Sequence, residues 1–411
     1  MHSGSFAPAF TLSFHDSECS RKPPNAHSLG RYGQQQKIKN SDSHFEIVYA
    51  GKSKTFVCSS LILDSSGIFA DWSGNLWKVD FETKKIVWKQ KLKKPLLFGF
   101  YVFENRIYSV HQKAIIEILP DGEILEKIEL NCATSPIQIN NQLFINERNK
   151  HGFNSMGKLV AYDMQTNKLT TIFEEKIKRT FLPITNKEQT SKGSELFFFA
   201  DRSIYKYNTL TTNLLCLKTN NEIRDRITGM IFLDNDLLYI PSIKNKNAGQ
   251  DHFPPNPDIN SIFSLDEFGN QHQISETKAS NTMCHSGNSI SIDKYHHLVC
   301  LANYVFSKKS ETFLKVEIPI QKSGGTEHYL FINGEQLYCI VPRSYGDRAT
   351  EQGFNLYELN IDNLEFKLCQ EYRTHKLGKN FKGIYFDFFR DKICARGDGR
   401  FYVMKKASEI V

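Results

Sequence analysis

The sequence predicts an all-β fold, a single β-propeller of eight blades, with seven as the alternative count, each blade built of four antiparallel strands. Three observations lead there. An alternating strand recurs at intervals of roughly 40 to 58 residues, the period of a four-stranded blade and too long for a solenoid repeat. Polar or glycine-bearing turns follow most copies, and a strand near the start of the chain is left over where one is lacking at the end.

The first copy is the fullest. Asp71-Trp72-Ser73-Gly74-Asn75-Leu76-Trp77-Lys78-Val79-Asp80 reads as a turn and an alternating strand, and Glu82-Thr83-Lys84-Lys85-Ile86-Val87-Trp88-Lys89 as a second turn and strand. The alternating strand returns at Ala114 to Leu119, Lys158 to Asp163, Ser203 to Asn208, Ser261 to Asp266, Phe313 to Ile318, Asn355 to Asn360 and Arg400 to Lys405. Two more strands precede each pair, such as Leu96 to Phe103 and Arg106 to His111. The final blade offers three, Lys382 to Phe388, Lys392 to Arg396 and Arg400 to Lys405, so the free strand Phe45 to Ala50 is expected to complete it and close the ring. Two stacked β-sandwiches are the competing architecture; they leave the regular period without a cause.

Ser73-Gly74, Leu76 to Asp80, Glu82-Thr83-Lys84-Lys85 and Ile86-Val87-Trp88 together resemble a PQQ-like propeller repeat of the quinoprotein and outer-membrane-assembly type. The other copies, such as Leu159 to Asp163 with Gln165-Thr166-Asn167-Lys168, keep the shape and lose the tryptophan. The resemblance implies a fold over residues 45 to 405, not a function.

Composition sets further bounds. The chain has 411 residues, 40% hydrophobic and 12% aromatic, enough for a large core laid down as thin layers between blades. No window approaches the ~18 continuous apolar residues of a membrane span. A formal charge of +7 is spread along the chain and not gathered into the basic stripe that nucleic acid requires, so nucleic acid is not expected as a partner. Ser, His, Asn, Gln, Pro and Lys dominate from Asp16 to Ser43, and residues 1–43 are expected to be a disordered tail, with the propeller spanning 44–411. The tail lacks the pattern of a signal peptide, and no apolar run precedes Cys19 to make it a lipidation site. Nine cysteines without a CxxC pair, and no Asn-x-Ser/Thr acceptor, fit a soluble protein of the reducing cytoplasm, and leave export by a non-classical route open. Cys58, Cys216, Cys300, Cys339, Cys369 and Cys394 have apolar neighbours and are expected to be small buried thiols.

With strands named a to d from the channel outward, a–b and c–d turns share one face, and b–c turns and blade-to-blade connections share the other. The first set is tight. The second carries the length, in Glu147 to Gly157, Ile243 to Ile259, Asn303 to Glu311, Arg343 to Gly353, Thr277 to Gly287 and Tyr372 to Lys379; the a–b loop Asn186 to Gly193 is the exception. Lys150, His151, Phe153, His252, Phe253, Arg343, Tyr345 and Arg348 are the candidate binding residues, because aromatic and cationic groups on long loops are the residue types of interface hot spots. Taken singly, each reads more simply as part of a solvated loop with its aromatics tucked onto the ring; the interface reading applies to the surface as a whole.

No catalytic residue is assigned. Cys284-His285 and His296-His297 lack the spacing of a zinc site, and neither a metal nor a cofactor is expected; Arg396-Gly397-Asp398 spells an adhesion-like triplet, but Gly397-Asp398-Gly399 reads more simply as a b–c hairpin turn. The expectation is therefore a non-catalytic propeller that grips another protein, as a scaffold, an effector or a toxin-neutralising module. The alternative is an enzyme with its site at the channel mouth, a quinoprotein-like dehydrogenase, lyase or hydrolase. Against it stand the missing vicinal cysteines and the absence of GxSxG or HExxH. Oligomeric state is not legible in the sequence.

Overall fold

The unit of the fold is an antiparallel four-stranded sheet, and the chain lays one after another. In a computed structural model the described residues run from Phe45 to Lys406; residues 1–44, 93–97, 112, 133–135, 149–156, 175–183, 191–192, 201–202, 220–222, 234–235, 244–258, 267, 279–285, 292–296, 302–303, 310–311, 320–328, 334–335, 343–351, 375–384, 390–391, 397 and 407–411 lie outside them. No helix occurs among the described residues. Their strands form six four-stranded sheets and one of seven strands.

The seven-stranded sheet is two blades sharing a strand. The 18-residue strand Phe45–Ile62 pairs along its first part with Asp398–Lys406 of the last blade and along its second part with Ser66–Asp71 of the first. Phe45 lies opposite Lys406, Ala50 opposite Tyr402 and Ile62 opposite Gly67, with register shifts between Lys52 and Phe56 and between Val57 and Ser59. The expected closing strand is thus present, and it continues without a break into the inner strand of the first blade. The arrangement is a β-propeller closed by its N-terminal strand.

Adjacent blades hold together through apolar layers. Val57, Phe69, Trp77 and Val79 of the first blade pack on Cys394, Phe401 and Val403 of the last, and Ile68, Ala70 and Leu76 pack from the other side on Phe100, Ala114 and Ile116 of the second. These strands read as near-continuous apolar runs because both faces of each sheet are covered, while the outer strand Ile86–Lys91 is half exposed and alternates. Aromatics meet across the closing seam: the ring of Phe401 lies 4.3 Å from that of Phe69 and 6.0 Å from that of Trp77.

The c–d turns recur in detail. Asp80, Asp163, Asn208, Asp266 and Asn360 end or follow the c strands, and each side chain accepts hydrogen bonds from backbone N–H groups of its own turn, such as Thr83 N to Asp80 Oδ1 at 2.7 Å and Thr166 N to Asp163 Oδ1 at 2.9 Å. The same turns place one residue at positive φ: Lys84, Asn167, Thr212, Gly269 and Leu364. A short polar residue at the strand end is therefore required to satisfy the turn, which is why the repeat shows Asp or Asn there.

Two sequence expectations need correction. The c strand of the sixth blade is Tyr304–Lys309, and Phe313 to Ile318 falls on its d strand, Thr312–Glu317. The presumed long loop Asn303 to Glu311 is thus largely strand. Its polar end, Ser307-Lys308-Lys309, resembles a loop in sequence, but Lys308 reaches the buried Asp236 of the neighbouring blade, Nζ to Oδ2 at 2.5 Å. The other exception, Asn186 to Gly193, also dissolves: Ile184–Thr190 and Gly193–Ala200 are paired strands, with Thr190 opposite Gly193.

Candidate interaction face

The candidate surface is the end of the ring that carries b–c turns and blade-to-blade connections. Strand ends fix the two ends: tight hairpins occupy one, as in Phe103 to Arg106 and Asn333 to Gln336, whereas Ile243 to Ile259 and Pro342 to Gln352 are bridged at the other. All eight candidate residues, Lys150, His151, Phe153, His252, Phe253, Arg343, Tyr345 and Arg348, lie outside the described residues, as do Cys284, His285 and His296 and the whole expected tail.

What the structure does describe of this face centres on the first blade. Asp71, almost fully buried at the end of strand Ser66–Asp71, organises the b–c turn. Its carboxylate accepts hydrogen bonds from Ser53 Oγ at 2.7 Å, Ser73 Oγ at 2.7 Å, Asn75 N at 3.0 Å and Asn75 Nδ2 at 2.8 Å. Desolvation pushes its pKa up, but the donors of Asn75, Ser53 and Ser73 outweigh it and hold the carboxyl below its ordinary value. The connection Gly51 to Phe56 is tied to the same turn by Trp72 N to Phe56 O at 3.0 Å and Ser73 N to Thr55 Oγ1 at 3.3 Å.

The consequence is a raised aromatic. Trp72 sits on the turn, 47% exposed, with its ring 5.0 Å from that of Phe56. The opening motif shows this tryptophan plainly, yet sequence alone reads it as repeat framework; only the structure separates the outward Trp72 from the buried Trp77 two strand-ends away in role.

Deeper in the ring, the inner strands of the first and last blades meet at a polar cluster. Arg396 is buried and donates to both oxygens of Asp387, Nε to Oδ2 at 2.5 Å and Nη2 to Oδ1 at 2.9 Å, and its Nη1 donates to the Val57 carbonyl at 2.9 Å. Ser60 Oγ donates to Asp387 as well. Arg396 thus belongs to a seam and not to an adhesion-like surface triplet. Burial pushes the nearby Cys58 and Cys394 thiols up to about 12, so neither supplies a thiolate nucleophile at neutral pH. The carboxylate to which Ser60 donates is the one that Arg396 holds through both oxygens.

The cysteine expectations divide. Cys58, Cys300, Cys339 and Cys394 are buried, whereas Cys216 is exposed and Cys369 half-buried, because both lie on outer strands whose alternate side chains leave the layer. All seven described cysteines are free thiols. Among the described residues no group of His, Cys, Asp and Glu stands close enough to hold a metal ion, and no helix is long and apolar enough to cross a membrane.

The chain is similar in structure to several solved propellers. It aligns with the computationally designed Ika8 protein at TM-score 0.54 and 11% identity, over 86% of this chain and 97% of that one. Sqt1 from Saccharomyces cerevisiae gives 0.54 at 9% identity, over 89% and 98%. BamB from Moraxella catarrhalis, a PQQ-like propeller, gives 0.50 at 11% identity, over 88% and 99%. At these identities the likeness is one of fold, in agreement with the repeat resemblance. No family model matches the sequence, and no curated protein matches it.

Proposed function

We propose that this chain is a non-catalytic, protein-binding propeller of the cytoplasm whose working surface is the end carrying the b–c turns and blade connections. One observation carries the reading: the described hairpins at the opposite end are tight, while at this end the Asp71 turn, held by four hydrogen bonds, lifts Trp72 to 47% exposure. Loops on a rigid scaffold, with aromatic anchors, are where binding energy concentrates. The free thiols of the described residues support a reducing compartment. The polar cluster at the seam supports structure over catalysis, since burial holds its thiols at about 12 and its carboxylate is engaged by Arg396.

The test begins with purification from the native cell, followed through gel filtration. A stoichiometric protein that remains bound is the expected result; a bound small molecule in its place overturns the reading. Replacing Phe153, Phe253, Tyr345 and Arg348 together by alanine is expected to weaken that complex by about a hundredfold or more, with an unchanged melting temperature. Alanine at the exposed Glu82, Lys84, Gln165 and Asp362 of the opposite end should leave it intact. If the second set is the damaging one, the faces are reversed.

A further inference from the structure

The outer rim of the fourth blade carries apolar surface that the ring does not cover. Leu210 stands on the c–d turn 66% exposed, and Leu214 and Leu215 open the outer strand Leu214–Thr219 at 41% and 56%. The c–d turn of the fifth blade comes in beside them: Gly269 lies against the Leu217 carbonyl, and Phe268 before it is 82% exposed. From Tyr207 to Leu217 the chain carries no charged residue, in a sequence that is 24% charged. Alternation does not hide these groups either, because Leu214 and Leu215 lie opposite Tyr207 and Lys206, on the two sides of the sheet.

Leu214–Thr219 is also the outermost strand of its sheet, with no strand of the described residues beyond it. Sheet edges pair readily with other edges, and charges at their exposed positions keep them apart. The outer strand of the second blade exposes Glu126 and Glu129, that of the sixth Lys315 and Glu317, and that of the first follows its exposed Ile86 and Val87 with Lys89 and Lys91. The fourth exposes Leu214, Leu215 and Cys216 in succession, with no charge among them. Its register shift falls past Cys216, between the partners of Tyr205 and Ile204, so this run is a regular edge. The run is self-complementary: set antiparallel on a second copy with Leu215 at the two-fold axis, Leu214 of one copy faces Cys216 of the other and no like charges meet. We infer that two copies of this chain pair side by side through the outer strand of the fourth blade, with Leu210, Leu214, Leu215 and Phe268 at the centre of the contact. Those four side chains expose on the order of 500 Å² per copy, the size of patch that is often functional on a monomer. Two copies withdraw about 1,000 Å² of apolar surface, and the polar rim of Thr211, Asn213 and Asn270 brings the contact within the ~1,200–2,000 Å² of a stable interface. An apolar centre is the composition of homodimer interfaces, and it holds no charge that would orient a foreign partner. The contact lies on the rim, so the b–c ends of both rings stay open.

Sedimentation velocity of the full-length chain, followed from submicromolar to tens of micromolar concentration, should show a species of twice the mass of one chain. Leu215→Glu with Phe268→Glu, both at exposed positions, should weaken that association at least about tenfold and leave the circular-dichroism spectrum unchanged. Should this variant melt early, Leu210→Glu on the turn serves in its place. A short bismaleimide reports the geometry: it should join Cys216 of one copy to Cys216 of the other, identified by mass spectrometry of the linked peptides, in the natural chain and not in the charged variant. A chain that stays monomeric at every concentration, a dimer that survives the charged variant, or a dimer whose cross-links avoid Cys216 overturns the proposal. So does a monomeric chain whose patch retains a different protein, lost with the charged variant; the surface then belongs to that partner and not to a second copy.

Discussion

The indole of Trp88 rests on the backbone of Gly122. Its Nε1 donates to the Pro120 carbonyl at 3.1 Å, and Gly122, at φ 92°, comes so close that a Cβ there would fall 2.6 Å from the ring. The outer strand of the first blade is thereby latched under the c–d turn of the second. Leu217 and Gly269 repeat the contact between the fourth and fifth blades, where a Cβ would meet the Leu217 carbonyl at 2.9 Å.

Gly122→Ala should therefore destabilise the chain by about 2–4 kcal/mol, from positive-φ strain together with the clash on Trp88. Placed on a Trp88→Ala background, the same change should cost only the strain, about 1–2 kcal/mol. Denaturant unfolding of the two single variants and the double variant checks this; full additivity would refute the latch.

The seam between first and last blades is electrostatic as well as apolar. Asp387→Ala leaves the buried Arg396 without its carboxylate and is expected to cost about 3–5 kcal/mol. The double change Asp387→Leu with Arg396→Met removes both charges and should recover most of that loss. Midpoints of urea unfolding measure it, and a double variant as unstable as Asp387→Ala would contradict the account.

Closure by the shared strand makes a separate prediction. Removing residues 1–44 should leave the melting temperature unchanged, whereas removing Phe45 to Ala50 as well strips the outer strand from the last blade and should lower it sharply. Equal melting temperatures for the two truncations would remove the strand from any role in closure.

Asp71 gives a pH signature. Its folded pKa is depressed, so its stabilisation is complete above the ordinary carboxylate value of ~3.9 and is lost as pH falls through the lower folded value. Asp71→Asn should cost about 1–2 kcal/mol at neutral pH, and the gap in melting temperature to the natural chain should narrow progressively below about pH 4. A gap independent of pH would mean the carboxylate charge contributes nothing to the turn.

The fold was largely legible because its repeat has a chemical cause. Asp80, Asp163 and Asp266 announce turns since only a short acceptor satisfies the N–H groups behind them. Lys84, Thr212 and Leu364 hold the same left-handed position without any residue type that advertises it, so the equivalence of those turns emerges only from the backbone. Tyr304–Lys309 escaped because the partner that tolerates its lysines, Asp236, sits on another blade. The candidate face was half legible. Trp72 stood in the opening motif, but the closing strand and the last blade beside it come together only through a pairing between opposite ends of the chain, which no local pattern records.

That pairing has a consequence in time. The Val57 carbonyl and the Arg396 guanidinium that meets it are 339 residues apart in sequence. At roughly 5–20 residues per second of synthesis, the first strand emerges from the ribosome about 20–70 s before its partner exists. Through that interval Phe45–Ile62 carries a bare edge beside a half-built first blade. The nascent ring is thus an open spiral with a sticky leading edge, and its hazard is premature pairing with a neighbouring chain on the same message. A circular permutant that begins between two blades, and so receives all four strands of each sheet in succession, would lose the velcro but also the wait.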